Sequence, residues 1–188
     1  MAPPAGRRRY LPAEDTALLT AALAPFGGGS CLEIGFGSGA VLASVSGRFG
    51  LAVGTDVICL EEAKLATRPG VQLVLTDRAR CFRDRAFDLV FFNPPYLPSG
   101  KVEDAAVDGG PTGVEVPLSF FEEGLRVLKD GGVVVALLST EGDVGSFLAR
   151  CASEGLEFEV IAERSLFYET LSVFAIRRGG KDRRTPQS

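Results

Sequence analysis

The stretch Cys31-Leu32-Glu33-Ile34-Gly35-Phe36-Gly37-Ser38-Gly39-Ala40 decides the fold. It opens as a short apolar strand and breaks into alternating glycines. A helix-like run over 40–48 follows. Strand, glycine turn and helix in that order begin a βαβ unit. Gly35 and Gly37 let the backbone turn sharply and approach a ligand. Working outward, strand-like and helix-like segments alternate. Leu51–Asp56, Val71–Leu75, Phe87–Phe92 and Val133–Leu138 read as further strands. Helical patterns fall on 14–24, 59–67, 117–129 and 142–154, the third closed by Gly131-Gly132. Residues 157–163 and 171–176 read as two closing strands, antiparallel to each other. Near-continuous apolar strands separated by helices predict an α/β domain whose parallel sheet is covered on both faces. Ligands in such a fold bind outside the carboxyl ends of the strands, where strand order reverses.

Composition sets limits. The 188 residues suffice for one domain with a proper core, and 46% hydrophobic against 23% charged residues is an ordinary globular balance. The net charge of -4 makes the chain as a whole a poor electrostatic trap for nucleic acid. There is no histidine, which excludes a Ser-His-Asp triad, a catalytic imidazole and any His-containing zinc site. Cys31, Cys59, Cys81 and Cys151 are scattered without a C-x-x-C pair and read as small buried residues in a reducing compartment. With no apolar run long enough for a membrane span and no signal core behind Arg7-Arg8-Arg9, a cytoplasmic protein is expected. Residues 1–9 and 179–188 read as flexible basic or polar tails around a single domain at 10–178.

The glycine loop admits three readings. Gly35, Gly37 and Ala40 satisfy the dinucleotide fingerprint, and a plain tight turn needs glycines too. Two details point instead to S-adenosylmethionine. Gly39 makes the spacing G-x-G-x-G, and Glu33 places a carboxylate where a cationic ligand benefits and a pyrophosphate does not. Asp56, at the end of strand two, can accept both hydroxyls of a ribose. Asp77, just past strand three, adds an acidic group at the same edge, and also suits a turn cap.

Strand four ends in Phe92-Asn93-Pro94-Pro95-Tyr96. Two prolines forbid both a continuing ladder and a regular helix, and Asn93 is held extended before them. The Asn93 carboxamide oxygen and the Pro94 carbonyl make two rigid acceptors. Such a pair can grip the hydrogens of a planar NH2 group and turn its lone pair toward an electrophile. Tyr96 can stack on the flat group. A proline-bounded strand end with no chemistry is the plain alternative.

Together these residues resemble the class I S-adenosylmethionine-dependent methyltransferases that modify planar nitrogens. The likeness narrows with Tyr10-Leu11-Pro12-Ala13-Glu14-Asp15-Thr16, Asp108-Gly109-Gly110-Pro111-Thr112-Gly113 and Glu169-Thr170-Leu171-Ser172-Val173. These segments resemble motifs of the HemK-like release-factor glutamine methyltransferases of archaea and eukaryotes. That resemblance implies a seven-stranded Rossmann-like sheet of order 3-2-1-4-5-7-6 with strand seven antiparallel. It implies methylation of the glutamine nitrogen in the Gly-Gly-Gln motif of a class I release factor. It assigns Thr16, with Asp15 nearby, Glu33 and Gly35 to the methionine part of the cofactor. Asp56 goes to the ribose, and Asp77 with the backbone of Arg78 to the adenine; Gly37 and Gly39 complete the cofactor loop. It gives Asn93, Pro94, Pro95 and Tyr96 to the acceptor. Arg78 departs from the family pattern, where an apolar residue is frequent, and the loop over 97–107 is short. The resemblance also implies a small zinc-binding activator along the edge strand 71–75. Adenine presents the same planar NH2 as glutamine, so an RNA or DNA adenine-N6 methyltransferase stands as the alternative. The acidic balance and the lack of a basic stripe with interleaved aromatics oppose it.

Overall fold

A computed structural model describes residues 14–57, 69–98 and 108–179. The expected tails, the helix at 59–67, Cys59 and most of the loop after Pro98 lie outside the described residues. Helix α1 (Glu14–Ala22) precedes β1 (Gly28–Ile34), α2 (Ala40–Val45) and β2 (Phe49–Asp56). Then come β3 (Val71–Leu75), β4 (Phe87–Phe92) and the short β5 (Leu97–Pro98) and β6 (Asp108–Gly110). The chain closes with α3 (Glu115–Val127), β7 (Leu128–Ser139), α4 (Val144–Ser153), β8 (Leu156–Ser165) and β9 (Thr170–Arg178).

The main sheet has seven strands in the order β3-β2-β1-β4-β7-β9-β8. Its first five strands are parallel, and β9 runs antiparallel to both β7 and β8. This is the topology expected from the sequence. A two-stranded ribbon, β5-β6, was not anticipated.

Alternation along the strands feeds two hydrophobic layers. In β7, Val133, Val135 and Leu137 enter one core with Leu19 of α1, Leu23 just past it and Leu42 of α2. Val134, Ala136 and Leu138 enter the other with Phe121 of α3 and Phe147 of α4. In β4, Leu89 and Phe91 face the first layer while Val90 and Phe92 face the second. Buried on both sides, such strands need apolar residues at every position, which is why they read as continuous runs.

Three local expectations are corrected. Gly131-Gly132 does not end α3, whose last turn gives way to extended backbone at Leu128. The glycine pair lies inside β7, where Phe87 pairs with Leu128 and Leu89 with Val133, an irregularity that absorbs extra residues. The helix after the glycine loop ends at Val45 and tightens into a 3-10 turn over Ser46–Arg48. Cys31 and Cys151 are buried as expected, but Cys81 is exposed. It sits in the turn-rich segment between β3 and β4, away from both layers. Among the described residues no helix is long and apolar enough to cross a membrane.

Candidate active site

Strand order reverses between β1 and β4, so their carboxyl ends flank a crevice. After β1 the chain makes its glycine turn. Gly35, Gly37 and Gly39 adopt φ of 74°, 51° and 73°, left-handed values that cost a side-chain-bearing residue about 1–2 kcal/mol each. The Gly35 and Phe36 N–H groups both donate to the Thr55 carbonyl, at 2.7 and 3.0 Å, and the Gly39 N–H donates to the Phe36 carbonyl at 2.6 Å. A side chain at Gly35 would stand 3.1 Å from the Phe120 ring, whereas the same position at Gly37 opens on empty space. Phe120 packs edge-on against Phe92, tying α3 to the end of β4.

Asp56 Oδ2 accepts the Gly37 N–H at 3.1 Å, so the expected ribose ligand and the glycine loop meet directly. Glu33 is almost fully buried, and its Oε2 accepts the Leu42 N–H at 3.0 Å in the first turn of α2. Burial, abetted by the Asp56 charge and opposed by the Leu42 N–H, raises its pKa well above the ordinary carboxylate value. Glu33 therefore braces the loop-to-helix junction from below. Asp77 is paired with its neighbour Arg78 at 2.9 Å and with Arg80 at 2.9 Å. Arg78 takes φ 53° and donates through Nε to Ser119 Oγ at 2.9 Å. The residue that departs from the family pattern thus staples the end of β3 to α3.

Asn93 follows β4. Its Nδ2 donates to Asp15 Oδ2 at 2.6 Å, and Asp15, in the first turn of α1, is itself buried. Asp15 Oδ1 accepts the N–H of Thr16 at 2.7 Å, which places Thr16 at the same corner. Because Asp15 can only take the amine end of the carboxamide, the Asn93 oxygen is fixed on the opposite side. That oxygen is buried and has no hydrogen-bond partner among the described residues. An unpaired buried acceptor costs about 1–3 kcal/mol, which makes the oxygen a candidate binding position.

Pro94 is buried behind it, and Tyr96 is half-buried. Burial first, then the charges of Glu169 and Asp15, a hydrogen bond to Glu169 and the charge of Glu141 raise the Tyr96 phenol above its usual pKa. Glu169 Oε2 also accepts from Ser139 Oγ, at the end of β7. The backbone of this turn is cradled by glycines. A side-chain carbon at Gly109 would lie 2.7 Å from Tyr96 Cα, and one at Gly113 2.3 Å from the Tyr96 carbonyl oxygen. At Gly142 it would lie 3.1 Å from that same oxygen.

The structure gathers Asp15, Thr16, Glu33, the glycine loop, Asp56 and Asn93 at the carboxyl end of the sheet. Sequence reasoning missed Ser119, Phe120, Ser139, Glu141 and Glu169, all of which reach the site across long stretches of chain. Only Glu169 left a signal, as a carboxylate directly before a buried strand.

No family model matches the chain. It is 34% identical to the human protein named Methyltransferase HEMK2, across 87% of each chain. It is 31% identical to a Methanocaldococcus jannaschii protein named for N5-glutamine methylation of protein, covering 87% of this chain and 89% of that one. Among solved structures it is similar to the E. cuniculi Mtq2-Trm112 complex, described as responsible for methylating the termination factor eRF1. That similarity has a TM-score of 0.74 and 26% identity, over 90% of this chain and 98% of that one. With the sheet order, the glycine loop and the Asn-Pro-Pro-Tyr turn already in place, these likenesses place the chain in the HemK-like family of protein N5-glutamine methyltransferases.

Proposed function

We propose that this chain methylates the side-chain nitrogen of the glutamine in the Gly-Gly-Gln motif of a class I release factor. The observation that carries this reading is the buried Asn93 oxygen, unpartnered among the described residues and held in place by Asp15. A primary amide nitrogen is a weak nucleophile because its lone pair is delocalised. Asn93 Oδ1 accepts one of its hydrogens, and the Pro94 carbonyl accepts the other. Both acceptors stabilise positive charge as it grows on the nitrogen and orient the lone pair for in-line attack. Tyr96 covers the flat face of the amide, and Pro95 stiffens the turn.

The site fits S-adenosylmethionine. A left-handed glycine at Gly37 opens onto free space beside the Asp56 carboxylate. In this reading Thr16, Asp15, Glu33 and Gly35 line the methionine end, and Asp56 holds the ribose. Asp77, the Arg78 backbone and the turns at Gly37 and Gly39 close the remaining side. When bound, the cofactor supplies the methyl group as a sulfonium.

Carboxylates favour a protein over a nucleic acid as acceptor. Glu169 and Glu141 both act on Tyr96, and phosphates would meet these two accessible acidic groups beside the turn. The test is labelled S-adenosylmethionine offered to release factor and to unmodified RNA and DNA side by side. Label is expected on protein at Gly-Gly-Gln, and label on adenine alone would overturn the reading. In the same assay Asp56→Ala is expected to weaken cofactor binding about 10–100-fold, since a charge-assisted hydrogen bond contributes about 1.5–3 kcal/mol. An unchanged Kd in a calorimetric titration would remove Asp56 from the ribose.

The partner side of the reading rests on β3. It is an edge of the sheet, and Leu75 and the nearby Val57 are 62% and 61% exposed. An apolar strand edge invites pairing with another chain. A small partner subunit covering it is supported by the two-chain assembly named for Mtq2, and zinc binding by that subunit is part of the proposal. Val57→Asp with Leu75→Asp is expected to reduce co-purification of such a subunit at least tenfold without unfolding the chain. Full retention on size-exclusion chromatography would place the partner elsewhere.

A further inference from the structure

The hairpin between β8 and β9 turns through Leu166-Phe167-Tyr168-Glu169, closed by a Leu166 N–H to Glu169 carbonyl bond of 2.7 Å. Neither central residue of this turn takes a positive φ, so its backbone does not call for glycine or asparagine. Here both are large aromatics, and they are 89% and 86% exposed. The two rings pack edge to face with centroids 4.6 Å apart, and so present one joint apolar surface. Burying such rings is favourable, and the isolated fold leaves that stabilisation unused.

The tip is braced from several sides. Glu169 receives the Ser139 hydroxyl and faces Tyr96 of the catalytic turn. Thr170 N–H donates to Thr140 Oγ1 at 2.9 Å, and the Thr140 N–H returns a bond to the Thr170 carbonyl at 3.1 Å. Arg164, just before the turn, forms an ion pair with Glu14 on α1, next to the Asp15 that holds Asn93. The rings therefore ride on a support tied to both the acceptor turn and the α1 corner. A loop held this firmly loses little conformational entropy when it binds, and exposed rigid aromatics are the side chains that dominate interface energies.

Resting on the function proposed above, we propose that Phe167 and Tyr168 form the acceptor-docking platform: they grip the protein acceptor beside the target glutamine without touching the reacting atoms. The chemistry suits a glycine-flanked glutamine, whose bare backbone offers a flat surface for ring faces to cover. Stacked nucleotides would also suit two rings. However, Glu169 and Glu141 lie beside Tyr96 near the foot of this turn, and Arg164 is already paired with Glu14, so the charge favours polypeptide over a phosphate backbone.

The experiment uses the full chain, alone and with its small partner subunit, and compares wild type with Phe167→Ser/Tyr168→Ser. Initial rates are measured against full-length release factor and against unmodified RNA. The expected result is a KM for release factor raised about tenfold or more, with kcat within about twofold and the Kd for S-adenosylmethionine unchanged. Phe167→Tyr/Tyr168→Phe should restore the wild-type KM. Label on protein with an unchanged KM overturns the platform and leaves the proposed function standing. Label on RNA alone, or on neither acceptor, overturns both. A double variant that abolishes self-association at unchanged KM assigns the rings to a second copy of the chain and likewise overturns the platform.

Discussion

Asn93→Ala is expected to lower kcat for methyl transfer about 10²–10³-fold while changing the Kd for S-adenosylmethionine by less than about threefold. The magnitude is that of deleting one preorganised polar group aimed at a charge that develops in the transition state. The geometry makes the separation of kcat from cofactor affinity specific. Asn93 Oδ1 has no partner among the described residues, and neither the glycine loop nor Asp56 bonds to it. The loss does leave Asp15 Oδ2 without the 2.6 Å bond it receives from Asn93. Losing a buried hydrogen bond costs about 0.5–1.5 kcal/mol, so a thermal melt must accompany the kinetics. If the variant stays folded, binds cofactor and still turns over within tenfold of wild type, the acceptor amide is not held by this carboxamide.

Asn93→Asp separates shape from charge. It keeps the outline of the group but brings a second carboxyl against Asp15. Two carboxyls that close cannot both ionise, so the pair shares a proton. An oxygen that must hold or shed this proton is a poorer fixed acceptor, and kcat should fall nearly as far as in Asn93→Ala. The rate should then depend on pH in the range where that new pair titrates.

The sheet was legible because its evidence is local and repeated. Phe87–Phe92 and Val71–Leu75 match their strands residue for residue, since each apolar run has only one way to be buried on both faces. Gly35, Gly37 and Gly39 were equally readable, because left-handed backbone at alternate positions needs glycine. The misread segment was Gly131-Gly132. A glycine pair after a helical pattern suggests a stop, but Leu128 was already extended and paired with Phe87, and the glycines serve a strand irregularity instead. Local pattern could not reveal that pairing, because it belongs to β4.

The acceptor end of the site was half legible for the same reason. Proline chemistry made Asn93 stand out, but nothing in its neighbourhood names Asp15 as the group that sets its carboxamide. The two meet only after α1 packs across the ends of the strands. The link between Glu169 and Ser139 joins the last hairpin to β7, and the one between Arg164 and Glu14 joins it to α1. Such contacts are properties of topology. The aromatic pair at 167–168 shows the converse: its composition was visible, yet only the fold places it on the rim of the crevice.

The second large effect belongs to Gly113, and it tests whether the acceptor turn works by rigidity. Gly113 has φ 75°, and a side-chain carbon there would lie 2.3 Å from the Tyr96 carbonyl oxygen and 3.2 Å from Gly142 Cα. Those neighbours are backbone and cannot swing aside as a flexible side chain could. Gly113→Ala must therefore displace the turn that carries Pro94, Pro95 and Tyr96. The expected stability loss is about 2–4 kcal/mol, combining left-handed strain with overpacking. For a chain of this length that lowers Tm by about 5–15 °C. Gly131→Ala is the matched control. It has φ 77°, but nothing lies within 4 Å of the added carbon, so only the backbone strain applies. If rigidity of the acceptor turn is the catalytic device, Gly113→Ala loses at least tenfold in kcat at temperatures where it is fully folded, and its cofactor Kd holds. Gly131→Ala keeps wild-type kcat despite its own loss of stability. Equal kcat values for the two folded variants would mean that the turn tolerates displacement and that holding the amide rigidly contributes little to the rate.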